Sequence, residues 1–232
     1  MSSNGKSKKR CVVLLSGGLD SATVLYFAKR NGFSPVCLIF DYGQKHRREI
    51  ESAKSLARAA GCPYKLVKIS LPWQGSSLLD RKIKVPAVST GISKGSGRIP
   101  STYVPARNTI FLSFAVSFAE AILARAIFIG ANAVDYSNYP DCRPEFYRAF
   151  EKVIARGTKA GVEKRKIRVL TPLINLTKAR IIKLGVRLGV PYELTWSCYK
   201  GQSKPCGKCE SCFYRAKGFR QAAIADPALR AR

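Results

Sequence analysis

The 232-residue sequence has one histidine, one methionine, two tryptophans and only 14 acidic residues. It has no apolar run near the roughly 20 residues that a membrane span needs. The longest candidate, residues 110–122, is interrupted by Ser113, Ser117 and Glu120. The first ten residues are polar and basic and carry no apolar stretch of the kind that marks a secretory signal. These absences point to a soluble, cytoplasmic protein without membrane contact. No internal repeat is visible. Two common nucleotide loops are also missing, the Gly-Lys-Ser/Thr of kinases and GTPases and the Gly-x-Gly-x-x-Gly of dinucleotide binders. The lone histidine, His46, stands beside Lys45, Arg47 and Arg48. It reads as a surface or ligand-side residue rather than a general base.

What is present begins with charge. The 41 Lys and Arg residues against 14 Asp and Glu leave a net charge of +27. Such an excess often accompanies contact with a polyanion. Ten basic residues and one acid, Glu163, lie between Arg156 and Arg187, and eight basic residues and two acids between Lys200 and Arg232. These runs lack the interleaved aromatics of a base-stacking groove. Solvated faces are therefore the favoured reading, and nucleic-acid contact is not. Hydrophobic residues make up 46% of the chain, enough for an ordinary core.

Strand and helix patterns alternate. Short apolar runs at 11–15, 36–40, 64–69, 126–130 and 169–173 read as strands. Helical patterns cover 20–29, 47–60, 108–124, 144–155 and 177–188, with Thr177 as N-cap of the last. Repeated βα units with strands buried on both faces imply an α/β fold with a doubly wound, mostly parallel, five-stranded, Rossmann-like sheet. Residues 70–107 lack a sustained period and suggest a lid or binding loop, most mobile around 93–97. The chain divides into a basic disordered tail (1–10), the nucleotide domain (11–190) and a small C-terminal zinc-binding helical segment (191–232).

Ser16-Gly17-Gly18-Leu19-Asp20-Ser21 lies between the first strand and the first helix, at the ligand-binding end of a parallel sheet. Paired glycines let the backbone approach a phosphate without a Cβ in the way. The free N–H groups of the helix start then face the anion, with Ser16 and Ser21 adding hydroxyls. Asp20 would repel bare phosphate, so its presence implies Mg²⁺ alongside ATP. The string resembles the PP-loop of the N-type ATP pyrophosphatases, which release pyrophosphate and transfer AMP to an oxygen. ATP contacts are accordingly expected from Val13, Leu14, Leu15, Ser16, Gly17, Gly18, Leu19, Asp20, Ser21, Ala22 and Thr23.

Four of the eight cysteines, Cys198, Cys206, Cys209 and Cys212, fall within fifteen residues. In the absence of a secretory signal, clustered thiols suggest a metal. Four thiolates at this spacing favour one tetrahedral, structural Zn²⁺ over an iron–sulfur cluster. The site pins a helix expected over 213–224. Cys142 reads as a packing or loop residue rather than a nucleophile.

Further strings narrow the resemblance: Phe40-Asp-Tyr-Gly-Gln-Lys-His46, Tyr103-Val-Pro-Ala-Arg-Asn-Thr109, Asp135-Tyr-Ser-Asn-Tyr-Pro-Asp-Cys-Arg-Pro-Glu-Phe146, Thr171-Pro-Leu173 with Leu176-Thr-Lys178, and Glu193-Leu-Thr-Trp-Ser-Cys198. Together with the loop and the cysteines they resemble the QueC family over almost the whole chain, from Val12 to Pro227. The resemblance implies an adenine nucleotide alpha hydrolase-like fold, and a ligase forming carbon–nitrogen bonds in queuosine and archaeosine precursor synthesis. It implies ATP, ammonia and 7-carboxy-7-deazaguanine as substrates, the corresponding nitrile as product, and a homodimer. No glutaminase segment is present, so ammonia is expected from solution or a partner. Asp20, Arg107 and Lys178 become catalytic candidates. Tyr42, Gln44, Arg107, Asn108, Asp135, Tyr136, Tyr139, Asp141 and Arg143 become candidates for holding the acid. For Asp135 and Asp141, base recognition stands beside an ordinary capping role. The alternative is a tRNA-modifying adenylating enzyme of the same loop class, its basic surface holding the RNA.

Overall fold

The computed structural model describes residues 9–45, 47–73, 75–80, 82–87, 99–134 and 139–229. The chain runs β1 (Lys9–Leu14), α1 (Leu19–Arg30), β2 (Phe33–Asp41), α2 (Arg48–Ala59), β3 (Tyr64–Lys68), α3 (Arg107–Ala121) and β4 (Ala126–Ile129). It continues through α4 (Pro144–Gly157), α5 (Lys159–Val162), β5 (Arg168–Leu170), α6 (Lys178–Arg187) and α7 (Glu210–Ala222). The five strands lie in the order β3-β2-β1-β4-β5 and every neighbouring pair is parallel. The expected doubly wound sheet is thus borne out. Lys9 and Arg10, expected in the tail, are already paired with Phe33 and Ser34 as the first residues of β1. Residues 93–97 and His46 lie outside the described residues.

Alternation along the central strand builds two cores, because successive side chains point to opposite sheet faces. Cys11, Val13 and Leu15 join Leu25, Leu56, Ile181 and Phe219 on one face. Val12 and Leu14 join Leu112, Ile127, Phe150 and Val169 on the other. Helices α1, α2, α6 and α7 therefore cover one side, and α3 and α4 the other. The C-terminal segment is not a separate body, since Phe219 and Ala222 of α7 belong to the first core. Of the ten basic residues between Arg156 and Arg187, eight are exposed, Arg165 is half-buried and Lys178 alone is buried.

The winding reverses between β1, which leads outward to β2, and β4 on its other side. At such a switch point the loops after the two strands part and leave a crevice at their carboxyl ends. Two helix contacts lock the floor beneath it. Thr23 of α1 shares a 2.8 Å hydrogen bond with the Tyr192 hydroxyl, which also donates to the Ile181 carbonyl at 3.2 Å. Gly185 of α6 makes room for that hydroxyl: a Cβ there would overlap the Tyr192 oxygen and stand 3.1 Å from Thr23 Oγ1. Gly185→Ala should therefore lower stability by about 1–3 kcal/mol through overpacking. A denaturant midpoint unchanged from wild type would refute this account of the contact.

Candidate active site

The phosphate loop is built by exclusion of Cβ atoms on both sides. Gly17 has φ +84, a left-handed conformation that glycine adopts without strain. A Cβ at Gly17 would overlap the Glu49 carbonyl oxygen and lie 2.9 Å from Ala53 N, so the first turns of α2 press directly on the loop. Gly130, just past β4, sits equally close on the other side, where a Cβ would be 2.9 Å from Ser21 N. Inside the loop, Ser21 Oγ donates to the Gly18 carbonyl at 3.0 Å and accepts from Ser16 N at 3.2 Å. Ser16 Oγ and Ser21 Oγ are 3.1 Å apart. No side chain caps α1 at Gly18. The amides of Leu19, Asp20 and Ser21 begin the helix without an intrahelical acceptor, the arrangement that binds anions.

Above the loop lies a cleft of about 270 Å³. Leu14, Leu15, Ser16, Gly18, Leu19, Asp20 and Ser21 line it, while Val13, Ala22 and Thr23 stand behind in the core. Gly17 faces α2. Two expected catalytic residues meet here: Lys178 Nζ lies 2.8 and 2.7 Å from the two carboxylate oxygens of Asp20. Lys178 is only 6% exposed. Gly218 of α7 gives it space, since a Cβ there would overlap the Lys178 side chain.

The opposite wall carries Arg107. Ala106 precedes it with φ +52, an unusual conformation for a residue with a Cβ. It is held by its amide donating to the Tyr103 hydroxyl at 3.0 Å. Asn108 N donates to Asp141 Oδ2 at 3.1 Å, and Asn108 Nδ2 donates to the Asp141 carbonyl at 3.0 Å. The Asp141 carboxylate thus caps the start of α3 and does not line the cleft. Arg107 makes no ion pair among the described residues. The one hydrogen-bond partner of its guanidinium there is the Tyr42 hydroxyl, at 3.5 Å. Most of its donors therefore remain for a ligand.

Tyr42, Gln44, Asn108 and Tyr139 line the cleft as well. Gln44 is largely spent on its own turn, accepting from Tyr42 N at 2.9 Å and donating to the Phe40 carbonyl at 3.3 Å. Tyr139 shares a 2.5 Å hydrogen bond with Thr102. Arg143 is exposed at the start of α4 and stays out of the lining. Asp135 and Tyr136 lie outside the described residues. Cys142 lines the cleft, but burial pushes its thiol up to about 12, which keeps it protonated and non-nucleophilic near neutral pH.

Sequence reasoning missed Glu49, Gly130, Asn132, Trp196 and Arg215, all of which line the cleft. Burial raises the Glu49 carboxyl to about 7 against the opposing pull of the Arg107 cation. Its one sequence signal was an acid opening the helix after a ligand-side strand. Trp196 N donates to the Gly17 carbonyl at 2.9 Å, while its indole donates to the Cys198 carbonyl at 2.9 Å. The tryptophan thereby ties the phosphate loop to the cysteine cluster.

In that cluster the Sγ atoms of Cys198, Cys206, Cys209 and Cys212 all lie within 4.8 Å of one another. A tetrahedron of zinc–thiolate bonds has edges of about 3.8 Å, so the donor set fits a metal ion with little contraction. Backbone N–H groups of Lys200 and Cys206 point at Cys198 Sγ, at 3.4 and 3.3 Å, and that of Cys209 at Cys206 Sγ, at 3.3 Å. Such donors suit thiolates.

The family model for the queuosine biosynthesis protein QueC matches residues 10–223. The 7-cyano-7-deazaguanine synthase of Thermoplasma volcanium is 52% identical over 219 residues, spanning 94% of this chain and 90% of that protein. The synthase of Pseudomonas fluorescens is 54% identical over 225 residues, spanning 95% and 97%. Among solved structures, a 4-thiouridine synthetase in an RNA complex with bound ATP is similar in fold. Its TM-score is 0.51 at 20% identity, over 93% of this chain and 50% of that one.

Cys209→Ser should empty the cysteine site and lower the melting temperature by about 5 °C or more, because a metal bound there would contribute its binding free energy to folding. Elemental analysis and a thermal scan check both. An unchanged melting temperature would show that the cluster does not support the fold.

Proposed function

The chain belongs to the QueC family of queuosine biosynthesis proteins, and from that premise we propose that it makes 7-cyano-7-deazaguanine from 7-carboxy-7-deazaguanine, ammonia and ATP. One observation carries the reading: the uncapped amides of Leu19 to Ser21 and the Arg107 guanidinium face a common cleft. The first group suits phosphate and the second a carboxylate.

The chemistry needs that pairing. A carboxylate resists attack by ammonia until its oxygen leaves readily, and AMP supplies such a leaving group. The acid's oxygen attacks the α-phosphate and pyrophosphate departs. Ammonia then displaces AMP to give the amide. A second adenylation, on the amide oxygen, with loss of one nitrogen-bound proton gives an O-adenylated imidate, and departure of AMP with loss of the second nitrogen-bound proton gives the nitrile. In this reading the loop amides, with Ser16 and Ser21, hold the phosphates. Arg107 aligns the two anions and offsets charge as it passes between them. Lys178 exchanges Asp20 for a phosphate oxygen once the nucleotide enters. The released Asp20 carboxylate would hold Mg²⁺, which neutralises charge on the departing pyrophosphate.

The planar base of the acid packs near Tyr42 and Tyr139 on the Arg107 side, supported by the place of both rings in the cleft lining. The four cysteines hold a structural Zn²⁺, supported by the close approach of their sulfurs and by their number, since four thiolates are enough to close a tetrahedral site. We assign the enzyme to the cytoplasm as a homodimer. No helix among the described residues is long and apolar enough to cross a membrane.

Incubating pure protein with ATP, Mg²⁺, ammonium and 7-carboxy-7-deazaguanine should yield the nitrile, AMP and pyrophosphate by mass spectrometry. If neither nitrile nor AMP forms, the reading is wrong. Arg107→Lys should lower kcat/KM for the acid at least about tenfold, since an ammonium cannot reproduce a bidentate guanidinium contact. An unchanged kcat/KM would remove Arg107 from carboxylate recognition.

A further inference from the structure

The cleft holds one carboxylate that the scheme above leaves unused. Asp20 is paired with Lys178, Asp141 caps α3, and Asp226, outside the cleft lining, is paired with the lining residue Arg215 at 2.6 Å. Glu49 lines the cleft, and its carboxylate has no hydrogen bond or ion pair among the described residues. Its position is not free to drift. The contact of its carbonyl oxygen with Gly17 fixes the backbone of this turn against the phosphate loop. The side chain lines the same cleft as the loop, within electrostatic reach of Arg107.

We propose that Glu49 is the residue that binds ammonium in the cleft and takes a proton from it for attack on the adenylated carboxyl. The inference rests on the reading above and names its missing base. At neutral pH ammonia is almost entirely ammonium, which has no lone pair and cannot attack. Ammonium gives one proton to the Glu49 carboxylate. The freed pair forms the C–N bond, the bond from the acyl carbon to the AMP oxygen breaks, and AMP leaves with that electron pair. The second proton lost from nitrogen passes to water as the amide forms. A carboxylate also suits the nucleophile before it reacts, since it attracts the cation into a site that otherwise presents Arg107 and Lys178.

The charged and titratable groups around Glu49 are Arg107 of α3, which favours its ionised form, and the Tyr42 hydroxyl after β2, itself raised by burial. Lys45, after β2, also lines the cleft, but its ammonium is held by the Ile83 carbonyl at 2.7 Å. Burial dominates and lifts Glu49 to about 7. A base at that value is part ionised at neutral pH and still strong enough to accept a proton, the compromise that general-base catalysis favours.

The test separates the two half-reactions with Glu49→Gln. Adenylation is read as ATP–pyrophosphate exchange with the acid and no ammonium, and aminolysis as amide and nitrile formed on adding ammonium. Exchange should stay within about threefold of wild type, while aminolysis at pH 7 falls about 100-fold or more. Wild-type aminolysis at fixed total ammonium should rise to a plateau above about pH 7. The Gln variant should lack that plateau and keep climbing in proportion to free ammonia. Glu49→Asp, which keeps a carboxylate one methylene shorter, should exchange normally and aminolyse at an intermediate rate. A Gln variant with the wild-type rate and pH profile overturns the assignment. So does one that loses exchange and aminolysis equally, or an Asp variant no better than Gln. Wild-type protein that makes no nitrile instead overturns the reading beneath it, and the assignment with it.

Discussion

The site depends on two places where a side chain is forbidden. Gly17 and Gly130 bring α2 and the end of β4 against the phosphate loop from either side, at separations that any Cβ would violate. Packed interiors do not yield smoothly to added volume. The loop is consequently held in one shape, with Leu19, Asp20 and Ser21 at the cleft wall. In the proposed adenylation, that preorganisation would let fixed dipoles hold the departing pyrophosphate without reorganising during the reaction.

The C-terminal segment extends the same constraint. Trp196 bonds to Gly17 through its amide and to Cys198 through its indole, and the Arg48 guanidinium lies 4.8 Å from its ring. Arg215 of α7 donates to Thr195 at 2.7 Å, to the Tyr192 carbonyl at 3.2 Å and to Asp226 at 2.6 Å. Tyr192 in turn bonds to Thr23 of α1. A metal in the cysteine cluster would thus steady the phosphate loop at a distance, through packing and hydrogen bonds, while taking no part in the chemistry. Gly218 makes the link to the cleft more direct, because it leaves the space that Lys178 occupies on its way to Asp20.

What could be read from the sequence was what is local. A Gly-Gly turn after an apolar strand, four closely spaced cysteines and an N-cap threonine at 177 each carry their meaning within a few residues. The structure bears out the sheet and the clustering of the thiols. Thr177 does accept from Arg180 N, at 3.4 Å. Interactions between distant segments were not legible. Nothing near Gly130 announces that its partner is the first turn of α1. Asp141 looked as suited to a ligand as to a cap, and the choice was made by Asn108, 33 positions earlier. Gln44 looked available, yet its amide closes the turn that carries it. Within the run of basic residues from Arg156, composition did not separate Lys178 from its neighbours; the family resemblance singled it out, and its inward turn is to a salt bridge spanning 158 positions.

The most direct test is a crystal structure with a non-hydrolysable ATP analogue and Mg²⁺. The account predicts the β- and γ-phosphates on the amides of Leu19, Asp20 and Ser21, Lys178 moved from Asp20 to a phosphate oxygen, and the α-phosphate open toward Arg107 and Glu49. A nucleotide bound elsewhere, or a loop that must rebuild its contacts with Glu49 and Gly130 to admit it, would contradict the claim that the loop is held ready.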